Sequence, residues 1–380
     1  MKNILIAIRS IFKKGRHNVM KIVSLGIGLA VGLVLIAKVY FEQSYDDFYP
    51  DRDRVYQVWA KYQQNGGELK DYPQTSGGIA PTMQQQIPEI ETVTRYTSFG
   101  DWTFTMTDTK MKYSGRCIIA DSCFFDILPR PMLIGNAKEV LSTPMYVLIS
   151  SRIAKNIGGD VIGKNFTVDN SPGRTMTIGG VFEEVPENSH SRYDVIVSMA
   201  SAGRFMWEGS PTNMLGNDRY ISYVKLHKGV NPLALEEQVR TFVNSYFPPE
   251  EQQKVGLSID FSFHKLDNLH KELPQVKRMT WILSLLAFAL IFTAVMNYIL
   301  IVISSIVNRS KEVAVHKCYG ASENNIHGMM FGEALVHIVL SLILALLLIL
   351  AFRGTVEELL ATSLDSLLLS NGSLVKSEAK

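Results

Sequence analysis

Three long apolar blocks constrain this chain more than any other feature. They are Ile22–Phe41, "WILSLLAFALIFTAVMNYILIVISSIV" (Trp281–Val307) and "FGEALVHIVLSLILALLLILAF" (Phe331–Phe352). A helix needs roughly 20 apolar residues to cross a hydrocarbon core about 30 Å thick, so each block is long enough to span a bilayer. Lys38 interrupts the first block near its end, where it is expected to snorkel to the headgroups. The overall hydrophobic content of 47% is ordinary only because a long polar middle dilutes these blocks.

Charge sets the orientation. Lys2, Arg9, Lys13, Lys14, Arg16 and Lys21 precede the first block, and Glu42, Asp46, Asp47, Asp51 and Asp53 follow it. Positive charge stays inside, so the N-terminus is expected in the cytoplasm. The block is long for a signal peptide, and "IAKVYFEQS" lacks a small-x-small cleavage site, so it reads as an uncleaved anchor. The expected organisation is a cytoplasmic amphipathic helix at 1–17, spans at 18–41, 279–307 and 331–352, an outer domain at 42–278, an inner loop at 308–330 and an outer tail at 353–380. Ile4, Leu5, Ile8, Ile11 and Phe12 recur at helical spacing in the first segment, which suits a helix in the headgroup plane.

The outer segment reads as a mixed α+β domain. Arg54–Tyr62, Trp102–Thr107, Met145–Ser150, Thr175–Phe182, Tyr193–Met199 and Arg219–Leu226 have strand period and β-branched content. Helices are expected at Gly78–Ile87, Ser150–Asn156 and Leu233–Tyr246, each closed by Pro or Gly.

Several chemistries are disfavoured. "GGDVIGKN" (Gly158–Asn165) approaches a phosphate loop, but Asn165 replaces the magnesium-binding hydroxyl and a strand follows where a helix should open. It reads as a glycine-rich turn, and no ATP hydrolysis by this chain is expected. No H-E-x-x-H or G-x-S-x-G occurs, and "VPENSHSRYD" (Val185–Asp194) reads as a turn held by Asn188 and Ser189. Neither a catalytic residue, a metal site nor a cofactor is expected. Three cysteines make no disulfide framework, although Cys117 and Cys123 are close enough in sequence to pair. A net charge of +2, with no basic run interleaved with aromatics, offers nothing to nucleic acid.

Between the second and third blocks lies "RSKEVAVHKCYGAS" (Arg309–Ser322), which can form a short helix ending at Gly320. With its flanks, "NRSKEVAVHKCYGASENNIHGMMFGEAL" resembles the cytoplasmic loop of MacB/FtsX-like ABC transporter permeases. Arg309, Glu312, Val313, Val315, His316, Lys317, Gly320, Ala321, Ser322, Ile326, Phe331, Glu333 and Ala334 match that pattern. "FEQSYDDFYPDRDRVYQV", "IGKNFTVD", "GGVFEEVPENSHSRYDVIVS" and "LDNLH" resemble segments of the MacB-type periplasmic core domain.

The resemblance implies an α-helical membrane protein with a large extracytoplasmic α+β domain inserted between transmembrane helices 1 and 2. It implies a multi-pass permease in the bacterial inner membrane, with a partner ABC ATPase driving movement of the outer domain for export or mechanotransmission. A second permease half or homodimer, a periplasmic or outer-membrane partner and the lipid bilayer are the implied partners. Arg309, Glu312, Val313, His316, Lys317 and Gly320 are the expected ATPase-coupling residues. A fourth helix, which the family has, is expected to be absent here, since the sequence after the third block offers only the brief "LDSLLL". A truncated form or the first half of a tandem permease is therefore expected. The alternative from another class is a membrane-anchored sensor or scaffold without transport.

Overall fold

The computed structural model describes residues 18–169, 171–308, 315, 318, 323–360 and 362–369. The chain divides into two compact units, Tyr45–His270 on one hand and Met1–Ser44 with Lys271–Lys380 on the other.

The helical unit is built on α1 (Asn18–Gln43), α7 (Pro274–Asn308) and α8 (Glu323–Ala351). Among the described residues these are the three helices long and apolar enough to cross a membrane. Two short helices, α9 (Arg353–Leu360) and α10 (Leu364–Leu369), follow α8. The segment expected to form a helix at 1–17 lies outside the described residues.

Among its described residues the outer unit contains eleven strands, β1 (Val55–Gln64), β2 (Leu69–Tyr72), β3 (Ile90–Met106), β4 (Lys112–Ala120), β5 (Met132–Ile134), β6 (Tyr146–Ser150), β7 (Asn165–Val168), β8 (Ser171–Phe182), β9 (Val195–Ser198), β10 (Ile221–Leu226) and β11 (Leu257–Lys265). They form one mixed sheet in the order β11-β1-β10-β3-β4-β9-β6-β8-β5, with β2 added to β1 and β7 to β3 and β8. Most neighbours are antiparallel; β4 with β9 and β6 with β8 are parallel.

Burial explains the composition of these strands. Cys117 and Ile119 of β4 enter one core while Ile118 and Ala120 enter another, and Val195 and Val197 of β9 oppose Ile196 in the same way. Both faces are covered there, so the strands are continuously apolar rather than alternating. A further core joins Val58, Ala60, Val224 and Leu226 to α2 (Ile79–Gln86) and α5 (Glu236–Tyr246). Helix α2 stops at Ile87, whose backbone is extended before Pro88, and α5 ends shortly before Pro248. The strands expected from alternation are present, but β3 is much longer than Trp102–Thr107, and β4 and β11 complete the sheet beyond the runs expected from sequence.

Short helices are closed by local side chains. Asn136 accepts from Lys138 N and Glu139 N at the start of α3 (Ala137–Ser142), and Ser150 accepts from Ile153 N at the start of α4 (Ser151–Ile157). Helix α6 (Pro249–Val255) ends at Gly256, whose φ of 68° is the left-handed cap that glycine adopts freely. The glycine-rich turn joins α4 to β7, with Gly158, Gly159 and Gly163 all at positive φ. Cys117 and Cys123 are both free thiols.

Candidate functional site: the membrane helices and the neck of the outer domain

Within the helical unit, α1 packs against both α7 and α8, and its glycines permit the approach. A Cβ at Gly28 would meet Ala294 Cβ at 2.2 Å, and one at Gly32 would meet Ile291 Cγ1 at 2.5 Å. On another side of α1, a Cβ at Gly26 would meet Leu344 Cδ2 at 2.9 Å, while Ser341 Oγ donates to the Ile22 carbonyl at 3.1 Å. Helices in lipid gain little from hydrophobic association, so close backbone packing through small residues and interhelical hydrogen bonds holds them.

Lys38 does not behave as expected from the sequence. Its ammonium meets Glu42 Oε1 at 2.8 Å and donates to Thr362 Oγ1 at 2.8 Å, with the Lys38 side chain 10% exposed. An internal partner thus replaces snorkelling as the means of satisfying the charge. The same contact fastens the segment after α9 to α1.

Within the outer unit, the entering and leaving segments are bound together into a neck. Tyr45 stacks on His270 with ring centroids 3.4 Å apart, and Arg52 bridges Asp47 at 3.2 Å and Asp267 at 3.5 Å. Farther in, Asp46 is fully buried at a φ of 60°. Its Oδ2 lies 2.6 Å from His190 Nδ1, and its Oδ1 accepts from Ser189 Oγ at 3.0 Å. His190 Nε2 faces the hydroxyls of Tyr223 and Ser191, and Ser191 Oγ also meets the Tyr96 hydroxyl at 2.7 Å. With the Nδ1 proton directed at Asp46, Nε2 accepts from Tyr223. The chain entering the domain is therefore tied to the loop before β9 and to the middle of the sheet.

Burial keeps this network's phenols neutral. It pushes the Tyr96 hydroxyl up to about 12 and the Tyr223 hydroxyl well above its usual range. Tyr49 moves the same way, through burial first and the Asp46 charge second. Nearer the surface, hydrogen bonds from Lys225 at 2.6 Å and Arg54 at 3.1 Å hold Asp51 below the usual carboxylate range.

Ser191, His190 and Asp46 have relay-like spacing, but Ser191 is 3% exposed and is engaged by Tyr96. The arrangement can carry load; it does not present a nucleophile to substrate. No group able to hold a metal ion occurs among the described residues. His264 stacks on Trp59 and His270 on Tyr45.

The expected coupling residues Arg309, Glu312, Val313, His316, Lys317 and Gly320 lie outside the described residues. Ser189 holds a turn as the sequence suggests, since its Oγ accepts from Ser191 N at 3.3 Å, whereas Asn188 meets Asp46 N through its backbone carbonyl at 2.9 Å. The partnership with Asp46, about 140 positions away, could not be read locally. The only sequence signal was the polar "ENSH" run beside a strand.

Residues 20–242 match the MacB-like periplasmic core domain model, and residues 284–374 match the FtsX-like permease C-terminal model. A domain assigned to a permease protein from Porphyromonas gingivalis is 33% identical, with a TM-score of 0.53, over 57% of this chain and 91% of that one. The periplasmic region of MacB from Actinobacillus actinomycetemcomitans is 14% identical with a TM-score of 0.39, covering 58% of this chain and 91% of that chain. The extracellular domain of the noncanonic ABC-type transporter YknZ from Gram-positive bacteria is 11% identical with a TM-score of 0.38, covering 54% and 98%. No curated protein matches. With a MacB-like core domain over more than half its length and an FtsX-like segment after it, the chain belongs to the MacB/FtsX-like ABC transporter permeases.

Proposed function

We propose that this permease subunit converts ATP hydrolysis by a separate ABC ATPase into movement of its extracytoplasmic domain, serving export or mechanotransmission. It works in the bacterial inner membrane beside a second copy or second permease half, and a periplasmic or outer-membrane partner receives the movement. The domain occupies 42–278, and 308–330 faces the cytoplasm. The carrying observation is the neck. The outer unit begins at Tyr45 and ends at His270, and these two rings are stacked on each other. Movement of α1 or α7 therefore loads one cross-braced point that is tied through Asp46 and His190 to the sheet. A contiguous, packed network of this kind can transmit a two-state change.

The ATPase is engaged by the loop holding Arg309, Glu312, Val313, His316, Lys317 and Gly320. Glu312 is an early carboxylate in a short helix, favoured there by the helix dipole and able to meet a basic groove. Reversing its charge should cost roughly 2–5 kcal/mol of association. Glu312→Lys is expected to weaken ATPase association or uncouple hydrolysis from function, while membrane insertion and the outer fold are unchanged. Parental binding and coupling in the complete transporter would show that this loop is a simple connection.

A further inference from the structure

A polar cleft of about 290 Å³ opens in the outer unit beside β3, β4 and the start of β9. Arg152 and Glu184 stand two residues beyond the carboxyl ends of the parallel strands β6 and β8. Its floor is fixed. Asp194 accepts from Arg116 N at 3.0 Å and from Arg152 Nη2 at 2.6 Å, and Arg152 also meets Glu184 at 3.2 Å. Glycine at 115 keeps that floor open, because a Cβ there would lie 3.0 Å from Asp194 Cβ.

Three further charged residues of the lining, Asp101, Arg116 and Arg192, are exposed. Among the described residues, the Arg116 guanidinium and the Asp101 carboxylate have no charged partner within 4 Å, although they are cross-strand neighbours. The Arg192 guanidinium, among the described residues, donates to a backbone carbonyl, that of Glu187. Arg116, Arg192 and Asp101 thus line one concavity whose floor is fixed by ion pairs, with Glu187 beside them. Arginine favours carboxylates through paired, charge-assisted hydrogen bonds. The volume lies at the lower end for small-ligand sites, which run from roughly 300 to 1,000 Å³.

We infer that this cleft binds a small zwitterion the size of a di- or tripeptide, its carboxylate on Arg116 and Arg192 and its amine on Asp101. The loop lining the cleft with Glu184, Arg192 and Asp194 is the loop that grips Asp46 through Ser189 and His190. The binding site itself is independent of the transport role proposed above.

The test is isothermal titration of the full chain in lipid nanodiscs at neutral pH, with triglycine as the probe. Saturable one-to-one binding is expected. Amidating the carboxylate or acetylating the amine should weaken it at least tenfold. Arg116→Gln and Asp101→Asn, both exposed positions, should do the same. No saturable binding of triglycine would overturn the inference, as would equal affinity for triglycine and its amide. Inorganic phosphate binding as tightly as triglycine, with no response to Asp101→Asn, would mark a plain anion site and refute the zwitterion.

Discussion

Asp46 combines two demands that few residues meet together. Its backbone is left-handed at a φ of 60°, a region that Asp and Asn enter more readily than other non-glycine residues. Its carboxylate is buried and serves Ser189, the His190 backbone and the His190 ring. Asp46→Ala keeps neither property. It strains the backbone and leaves buried partners unpaired, for an expected loss of roughly 2–5 kcal/mol. Asp46→Asn keeps the conformation and one acceptor oxygen, and an expected loss below about 2 kcal/mol follows. Urea unfolding of the detergent-solubilised chain, followed by tryptophan fluorescence, separates the two, since Trp59, Trp102 and Trp207 all lie in the outer unit. Equal stability of the two variants would mean that the network bears no load.

At the scale of elements, α1 is the helix against which the others are fitted. Glycine inside a helix is unfavourable in water, by about 1 kcal/mol relative to alanine. Gly28 and Gly32 are tolerated because their missing side chains make room for Ala294 and Ile291 of α7. Gly28→Leu is therefore expected to force α1 and α7 apart and to lower stability by roughly 1–3 kcal/mol, as overpacking does. Thermal unfolding in detergent measures this. Gly332→Ala in α8, where an added Cβ meets nothing within 4 Å, should leave the melting temperature unchanged or raise it through the helix preference of alanine. Equal effects of the two substitutions would remove the case for tight α1–α7 packing.

For the whole molecule, function depends on which side of the membrane each unit occupies. The basic segment before α1 and the acidic one after it argue for a cytoplasmic N-terminus and an outer Tyr45–His270 unit. A periplasm-active reporter fused near residue 150 is expected to be active, and the same reporter near residue 320 inactive. A cytoplasm-active reporter should give the reverse pattern. Inverted results would place the proposed ATPase-facing loop outside and end the coupling mechanism.

Length and hydropathy alone indicate where the three long helices lie, because a span depends on a local run of about 20 apolar residues. Strand-like composition likewise locates β1, β6 and β8, although β1 and β6 are buried in continuous runs rather than at every second residue. The glycine-rich turn at 158–165 was legible for a similar reason, since positive φ is written in glycine. What the sequence could not supply was partnership at a distance. Lys38 looked like a residue reaching for headgroups until Thr362 came within 2.8 Å across 324 positions. Likewise, "NSHS" looked like a local turn until folding brought Asp46 and Tyr223 to His190. Local pattern records the preferences of a backbone segment; a buried charge or hydrogen bond is settled by whichever group the tertiary fold delivers, and only there were the neck and the cleft decided.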